Sequence, residues 1–463
     1  MERTFSIHTI GCKLNQFESE WIRQALQRRE WEFRRFEEGA QFYVINSCTV
    51  TGKSDARCRN AVRRARRHTP EAFIIVTGCY AETQPDKLVA MSEVDLVIGN
   101  GGKRSLPAIM DEIASGGLPI TPTASGAAFH GHEPGAGALL PDRDSEAGVI
   151  GCFLDHSRAF VKIQEWCDAS CSYCIIPRAR GPSRSIPPEA VLEQVSVLSG
   201  NGYHEIVLSG IHLGRYGSDL VPRGTLADLV EMLINRTRGI RFRLSSIEVT
   251  EVTPRLVELM ERGGRLAPHL HVPLQSGDDE VLKAMNRVYD AATFEARIEN
   301  IARSNAGIGI GTDIIVGFPG ETDARHERTV ALVRRLPLSY LHVFSFSPRP
   351  GTPAAAMPGH VGPRDKKRRS TELIALGRRK KRSFVKAQTG SVQEALIQEP
   401  AHRASPFTRT LTGNYCEVFV PSPKDAGGSL APVRITHYSR GALYGSLVDP
   451  GSNPGSGGGE PNR

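Results

Sequence analysis

Residues 160–174 read FVKIQEWCDASCSYC. FVKIQE has the apolar pattern of a buried strand. It runs straight into Cys167, Cys171 and Cys174, spaced C-x3-C-x2-C. A loop this short wraps three corners of an iron–sulfur cubane and leaves the fourth iron open to a small molecule. The intervening Ala169, Ser170 and Ser172 are small, as a tight wrapping loop needs. A zinc knuckle needs a fourth Cys or His close by, and PRARGPSRS (177–185) supplies none.

Downstream, five more strand-like runs recur at βα spacing: EIVLSG (205–210), RFRLSS (241–246), LHVPLQS (270–276), GTDIIVGFP (311–319) and YLHVFSFS (340–347). Helical patterns such as PPEAVLEQVSVLSG (187–200) and TLADLVEMLIN (225–235) lie between them. Six such units predict a partial (βα)6 barrel with its chemistry at the carboxyl ends of the strands. Several of those ends are small (Ser209-Gly210, Ser245-Ser246, Gly317), and glycine lets backbone approach a ligand closely.

Upstream, the same sentence is written three times. FSIHTIGC (5–12), FYVINSC (42–48) and FIIVTGC (73–79) each carry an apolar run to a cysteine. Continuous apolar runs of this length suit parallel strands buried on both faces. The intervals between Cys12, Cys48 and Cys79 match the size of a βαβ unit. In such a sheet the carboxyl ends share one edge, where ligands bind, so these three cysteines are expected to gather in space. Three buried structural cysteines are the bland alternative. Three gathered thiolates favour a cluster with an open vertex over structural zinc, which takes four protein ligands.

The fold class is therefore α/β: an N-terminal parallel-sheet domain over 1–110, a partial barrel over 151–386, and a small C-terminal β-barrel over 387–449. Residues 111–150, rich in Gly, Ala and Pro, read as a flexible linker, and 450–463 as a disordered tail. The 463 residues are too many for a single core. No apolar run is long enough to cross a bilayer, and the N-terminus lacks a signal-peptide pattern. A cytoplasmic location is expected, where thiols stay reduced. A net charge of +8 suggests a polyanionic partner.

CDASCSYC resembles the cluster motif of the radical S-adenosylmethionine (SAM) enzymes, in which the open iron binds SAM. Tyr173 matches the aromatic position that packs near the SAM adenine, and Gly210, Ser246 and Gly317 are the further SAM contacts the resemblance suggests. Two sets of three cysteines in this order are similar to the methylthiotransferases, which carry two [4Fe–4S] clusters. GCKLNQFESE, NSCTVTGKSDARCRN, TGCYAE, CDASCSYCIIPRARG, LSGIHLGRYG, HVPLQSGDDEVLKAMNRVY and DIIVGFPGET carry the likeness over nearly the whole chain outside the linker and tail. GCKLNQFESE and SCTVTGKSD look most like the branch acting on N6-threonylcarbamoyladenosine in tRNA. The isopentenyladenosine branch usually has Gln and Met where this chain has Lys13 and Leu14. Two positions depart from the family pattern: Trp166 stands where Gly is usual, and Arg178 where an apolar or aromatic residue is. Neither removes a ligand.

The resemblance implies that the cluster on Cys167, Cys171 and Cys174 splits SAM to a radical that takes hydrogen from C2 of the adenine. It implies that the auxiliary cluster on Cys12, Cys48 and Cys79 supplies sulfur and a second SAM the methyl group. An external one-electron reductant and a sulfur donor are required, with the tRNA anticodon stem-loop as partner and the enzyme acting as a monomer. The basic run GPRDKKRRSTELIALGRRKKRSFVKA precedes a module resembling the TRAM domain. Arg368, Arg369, Arg378, Arg379 and Lys380 are its expected RNA contacts. Tyr415, Phe419, Tyr438 and Tyr444 suit base stacking, although aromatics in a small barrel are more often core. Cys58, Cys152 and Cys416 read as structural or incidental, and His212, His269 and His271 carry no assigned role. The competing readings are isopentenyladenosine in tRNA, a ribosomal-protein aspartate, and a non-enzymatic iron–sulfur RNA-binding protein.

Overall fold

The computed structural model describes residues 3–116, 128–130, 149–181, 183–261, 264–398, 406–422 and 427–448. The tail and most of the expected linker lie outside these residues. β1 (Thr4–Thr9), β2 (Glu32–Phe33), β3 (Phe42–Ser47), β4 (Phe73–Gly78), β5 (Leu96–Ile98) and β6 (Ala128–His130) form one parallel sheet in the order β2-β1-β3-β4-β5-β6. β3 is buried at every position, which explains its unbroken apolar run. β6 lies inside the stretch read as linker, and the helix Leu106–Ala114 runs past residue 110. The sheet therefore extends further than composition suggested, because a three-residue edge strand leaves little compositional trace.

Between the strands, α1 (Lys13–Gln27) starts immediately after Cys12 and α2 (Gly52–His68) shortly after Cys48. α2 buries Asp55, Cys58, Ala61, Val62 and Ala65. That helical spacing turns most of its arginines outward.

The central unit contains β7 (Ala159–Lys162), β8 (Gln164–Glu165), β9 (Arg184–Ser185), β10 (Glu205–Ser209), β11 (Arg241–Leu244), β12 (His269–His271), β13 (Gly309–Val316) and β14 (Tyr340–Ser345). β7-β10-β11 and β12-β13-β14 are parallel sheets, and the bridges Phe242–Leu266 and Ser246–His271 join them into one curved wall. β8 and β9 pair antiparallel beside the cysteine loop. This is the expected partial barrel. One apolar cluster runs from Phe42 and Ile75 of the first sheet to Val161, Leu208 and Ile310 of the barrel. The two sheets thus share a core rather than meeting across a wet interface.

The C-terminal strands β15 (Val392–Ile397), β16 (Phe407–Thr412), β17 (Glu417–Pro421), β18 (Leu430–Ser439) and β19 (Ala442–Leu447) close into a barrel around Val418, Val420, Val433, Ile435 and Leu443. It docks where β10 and β11 begin, at the end of the wall away from the cysteine loop. Arg241 donates to the carbonyls of Glu394 (2.8 Å) and Leu411 (2.9 Å), and Arg243 to those of Gly413 (2.8 Å) and Thr412 (3.1 Å). Glu205 bonds both guanidinium groups from below.

Candidate iron–sulfur and substrate site

The three strand tips are tied together by side-chain hydrogen bonds. Asn15, on the first turn of α1, donates to the carbonyls of Ile10 (2.8 Å) and Ser47 (3.0 Å). Asn46 donates to Asn15 O and Ser19 Oγ, both at 3.0 Å, and Ser47 Oγ donates to Thr77 O. Gly78 sits at φ +98°, and a Cβ there would lie 2.4 Å from Ser47 O. Only glycine lets β4 pass that close and still deliver Cys79. A Cβ at Gly11 would lie 2.8 Å from Cys48 Cβ, which places the first tip against the second.

Cys12, Cys48 and Cys79 do converge. Burial pushes the Cys48 thiol up to about 11, with Cys79 and Cys12 adding to the rise. Asn100 Nδ2 approaches Cys79 Sγ at 3.9 Å and Cys12 Sγ lies 3.8 Å from Asn15 Oδ1. The buried guanidinium of Arg180 acts on both Cys79 and Cys12. Three cysteines carried to one sheet edge beside a fixed cation suit an anionic thiolate-held cluster. Cys58 is buried in the neighbouring core, where burial lifts its thiol to about 12. Cys416 lies in the C-terminal core, and Cys152 is exposed beside Arg23.

The second set sits at the carboxyl end of β7. Its loop is pinned by Ser172 Oγ donating to Ala284 O (2.7 Å), Asn286 to Ser170 O (2.9 Å) and Ser183 N to Asp168 (2.8 Å). Burial pushes Cys174 up to about 12, with Cys171 and Cys167 close by. Two polar side chains face the sulfurs that motif reading left without a role. His212 Nδ1 lies 3.4 Å from Cys167 Sγ, and its Nε2 lies 2.8 Å from Glu251. Arg287 donates to Cys171 Sγ at 3.3 Å and is held by Glu248 and Tyr289. Burial alone would lower His212, but its bonds to Cys167 and Glu251 raise it to about 10. Cations and donors around sulfur fit thiolate ligands. Both residues stood in the motifs LSGIHLGRYG and LKAMNRVY, but only folding brings them to the cysteines.

Trp166 takes φ +68°, the left-handed backbone for which glycine is the usual residue. Its ring packs on Gly181, where a Cβ would lie 3.6 Å from the indole. Arg178 is exposed and donates to Gly351 O at 2.9 Å, clear of the cluster loop.

Tyr173 packs against Val281, Met285, Phe318 and Phe346. It also lines a cavity of about 190 Å³ with Cys174, Gln275, Asp313, Phe344 and Thr51. Gly210, Ser246 and Gly317 do not line that cavity. Gly210 packs on Gln164, and the Gly317 N–H is taken by the Glu321 carboxylate, with Lys366 where a Cβ would be. Ser246 Oγ instead meets His271 Nδ1 at 2.7 Å. Below, His271, Asp313 and His342 offer ligand atoms within 4.8 Å of one another. Burial would raise Asp313, but hydrogen bonds from His271 and His342 bring it to about 2.

The basic run forms the helix Pro363–Ala387, packed against β14. Two of its expected RNA contacts are corrected. Arg369 is buried and bonded to Glu321 (2.7 Å) and Asp323 (2.9 Å). Lys380 donates to the carbonyls of Arg334 (3.0 Å) and Leu336 (2.6 Å), at the end of the helix Asp323–Arg335. Arg368 is exposed but paired with Asp323 and Asp365. Arg378 and Arg379 remain exposed. On the C-terminal barrel, Phe419 and Tyr444 lie outside the core, with Phe407 at 5.6 Å and His437 stacked at 5.1 Å on Tyr444. Tyr438 lies under Lys386 at 5.3 Å.

Three cysteines at the tips of a parallel sheet and three more at the mouth of a partial barrel suit a two-cluster radical SAM enzyme. Residues 4–99 match the family described as Uncharacterized protein family UPF0004, and 161–333 the Radical SAM superfamily. The Bacillus subtilis protein named Threonylcarbamoyladenosine tRNA methylthiotransferase MtaB is 37% identical over 93% of this chain and 93% of its own. A Moorella thermoacetica protein named tRNA-2-methylthio-N(6)-dimethylallyladenosine synthase is 30% identical over 96% of this chain and 99% of its own. Among solved structures, the radical S-adenosylmethionine methyltransferase TsrM from Kitasatospora setae shares the fold. Its TM-score is 0.55 at 14% identity, over 77% of this chain and 74% of that one. The chain belongs to the radical SAM methylthiotransferase family, whose cofactors are two [4Fe–4S] clusters and SAM. Among the described residues, no helix is long and apolar enough to cross a membrane.

Proposed function

We propose that this protein methylthiolates C2 of N6-threonylcarbamoyladenosine next to the anticodon of tRNA, giving 2-methylthio-N6-threonylcarbamoyladenosine. The observation that carries the reading is near full-length similarity to a threonylcarbamoyladenosine enzyme, at higher identity than to the dimethylallyladenosine one. In this reading residues 1–110, 151–386 and 387–449 are the auxiliary-cluster, radical SAM and RNA-binding domains. The enzyme works in the cytoplasm as a monomer, with an external one-electron reductant and a sulfur donor.

Cys167, Cys171 and Cys174 hold one cluster, and Cys12, Cys48 and Cys79 the other. When bound, the first supplies the electron that splits SAM and the second the sulfur to be transferred. The chain's own residues do the rest. His212 and Arg287 place donors on the Cys167 and Cys171 sulfurs, which suits them to hold negative charge there. Tyr173 walls the cavity beside Cys174, where it would flank the SAM adenine. Arg180 spans from the radical-cluster side to Asn15 and Glu18 behind Cys12, fixing one sulfur set against the other. Arg378 and Arg379, with the outer aromatic face of the C-terminal barrel, suit the RNA backbone and its unpaired bases.

Mass spectrometry of tRNA nucleosides from cells with and without the gene tests this. The 2-methylthio product is expected to vanish on deletion and to return with the intact gene but not with Cys171→Ala or Cys48→Ala. Unchanged nucleosides would sink the substrate assignment.

A further inference from the structure

The barrel lumen is open along β14. His342 and Phe344 face the lumen and are exposed. A chain of rings descends from them: His342 lies 5.2 Å from both Tyr340 and His271, and Tyr340 stacks on His269. The chain ends on Tyr415, which reaches in from the C-terminal barrel to 4.5 Å from His269. Gly311 permits this, since a Cβ there would lie 2.0 Å from the Tyr340 ring.

Around the lower rings cations outnumber carboxylates. Arg158, Arg241 and Arg243 all face the buried carboxylate of Glu205, at 3.5, 2.6 and 2.9 Å. Arg241 and Arg243 are engaged by Glu205, by carbonyls of the C-terminal barrel and, for Arg241, by the more exposed Glu394 at 3.6 Å. Among the described residues, Arg158 has its longer approach to Glu205 and a seat 5.8 Å over the Tyr415 ring. Lys13 enters the same space, close enough for Arg158, Arg243 and Glu205 to act on it. Its ammonium makes no hydrogen bond or ion pair among the described residues. Like charges gathered out of water are costly without a counter-ion. The fold therefore holds surplus positive charge at the foot of an open, aromatic-walled cleft, one residue from Cys12.

We propose that Lys13 and Arg158 form the binding site for the carboxylate of the threonylcarbamoyl substituent. This rests on the substrate reading given above. The position suits the chemistry: C2 and the N6 substituent of adenine both flank N1. A base whose C2 faces the auxiliary sulfur therefore turns its substituent toward the residues beside Cys12. The isopentenyl group has no charge to offer, so the same cations would also reject it.

Three synthetic anticodon stem-loops separate this carboxylate from RNA phosphates. One carries N6-threonylcarbamoyladenosine, one its methyl ester, and one unmodified adenosine. Their affinities for the cluster-loaded protein are compared, together with iron content, melting temperature and conversion of the first. Wild type should bind the acid about tenfold more tightly than the ester, as one charge-assisted contact would give. Lys13→Gln should abolish that preference, Arg158→Gln should weaken it, and Lys13→Arg should keep it. Equal binding of acid and ester by wild type that still converts the acid overturns the carboxylate site and leaves the substrate reading standing. Retention of the full preference in both glutamine variants also overturns it, as does an equal loss for all three RNAs with falling iron content. Failure of wild type to convert the acid at all is the outcome that removes the substrate reading.

Discussion

Arg180 donates to Glu18 at 2.8 Å with both side chains buried, and this pair joins the two cysteine sets. Arg180 follows Cys174 on the helix Ile176–Arg180, while Glu18 follows Cys12 on α1. Lys103 also reaches Glu18, and burial's pull upward on the carboxyl is overcome by Arg180 and Lys103, which hold it far below its ordinary range. Removing Arg180 leaves Glu18 with Lys103 as its bonded cation and takes a donor from Asn15. Arg180→Ala should therefore destabilise the protein by about 2 kcal/mol, read from denaturant melts. A loss under 1 kcal/mol would mean that the lock is not energetically significant.

The backbone at Trp166 separates strain from packing. Alanine there keeps the left-handed φ and loses the indole; glycine loses the indole and relieves the strain. Trp166→Gly should thus be about 1 kcal/mol more stable than Trp166→Ala, against the usual ranking of the two residues. Equal melting temperatures would show that the φ carries no cost.

Cluster content reports the ligand sets separately. Cys171→Ala and Cys48→Ala should each reduce iron from about eight to about four atoms per chain, because the two sites are built from different elements. Iron staying near eight in either variant would remove that cysteine from the ligand set.

Arginines on one helix should behave in two ways. Arg378→Ala with Arg379→Ala should weaken tRNA binding and flatten its dependence on salt by roughly one to two units of slope, with stability unchanged. Arg369→Ala should instead lower the melting temperature by removing the buried arginine partner of Glu321. Titrations in varied salt, run beside thermal melts, distinguish them.

Acid should loosen the C-terminal barrel through Glu205. Burial would raise this carboxyl, but Arg243 and Arg241 pull it from 4.5 to about 2. A depressed carboxyl contributes stability that is fully present above its unfolded value and lost as pH falls through the folded one. Wild-type stability should drop between about pH 4.5 and 2, and Glu205→Gln should be weaker at neutral pH with a shallower acid slope. Denaturant midpoints across that range check it; parallel profiles would exclude Glu205 as the source.

Much of this molecule was written locally. FIIVTGC and its two counterparts carry strand, turn and cysteine in a few adjacent residues, and CDASCSYC carries a ligand loop in eight. Strand periodicity and short spacing depend only on neighbouring residues, so the α/β class, the partial barrel and the cysteine sets could be read from the chain alone. Tertiary structure decided what depends on approach from a distance. His212 and Arg287 become partners of sulfur only when β10 and the segment after β12 reach the mouth of the barrel. Arg369 leaves the RNA surface because Glu321 folds beneath it. Tyr415 becomes the floor of the lumen because Arg241 and Arg243 dock the last barrel there. Charges and rings of this kind draw their roles from partners tens to hundreds of residues away, and no local pattern encodes such a pairing.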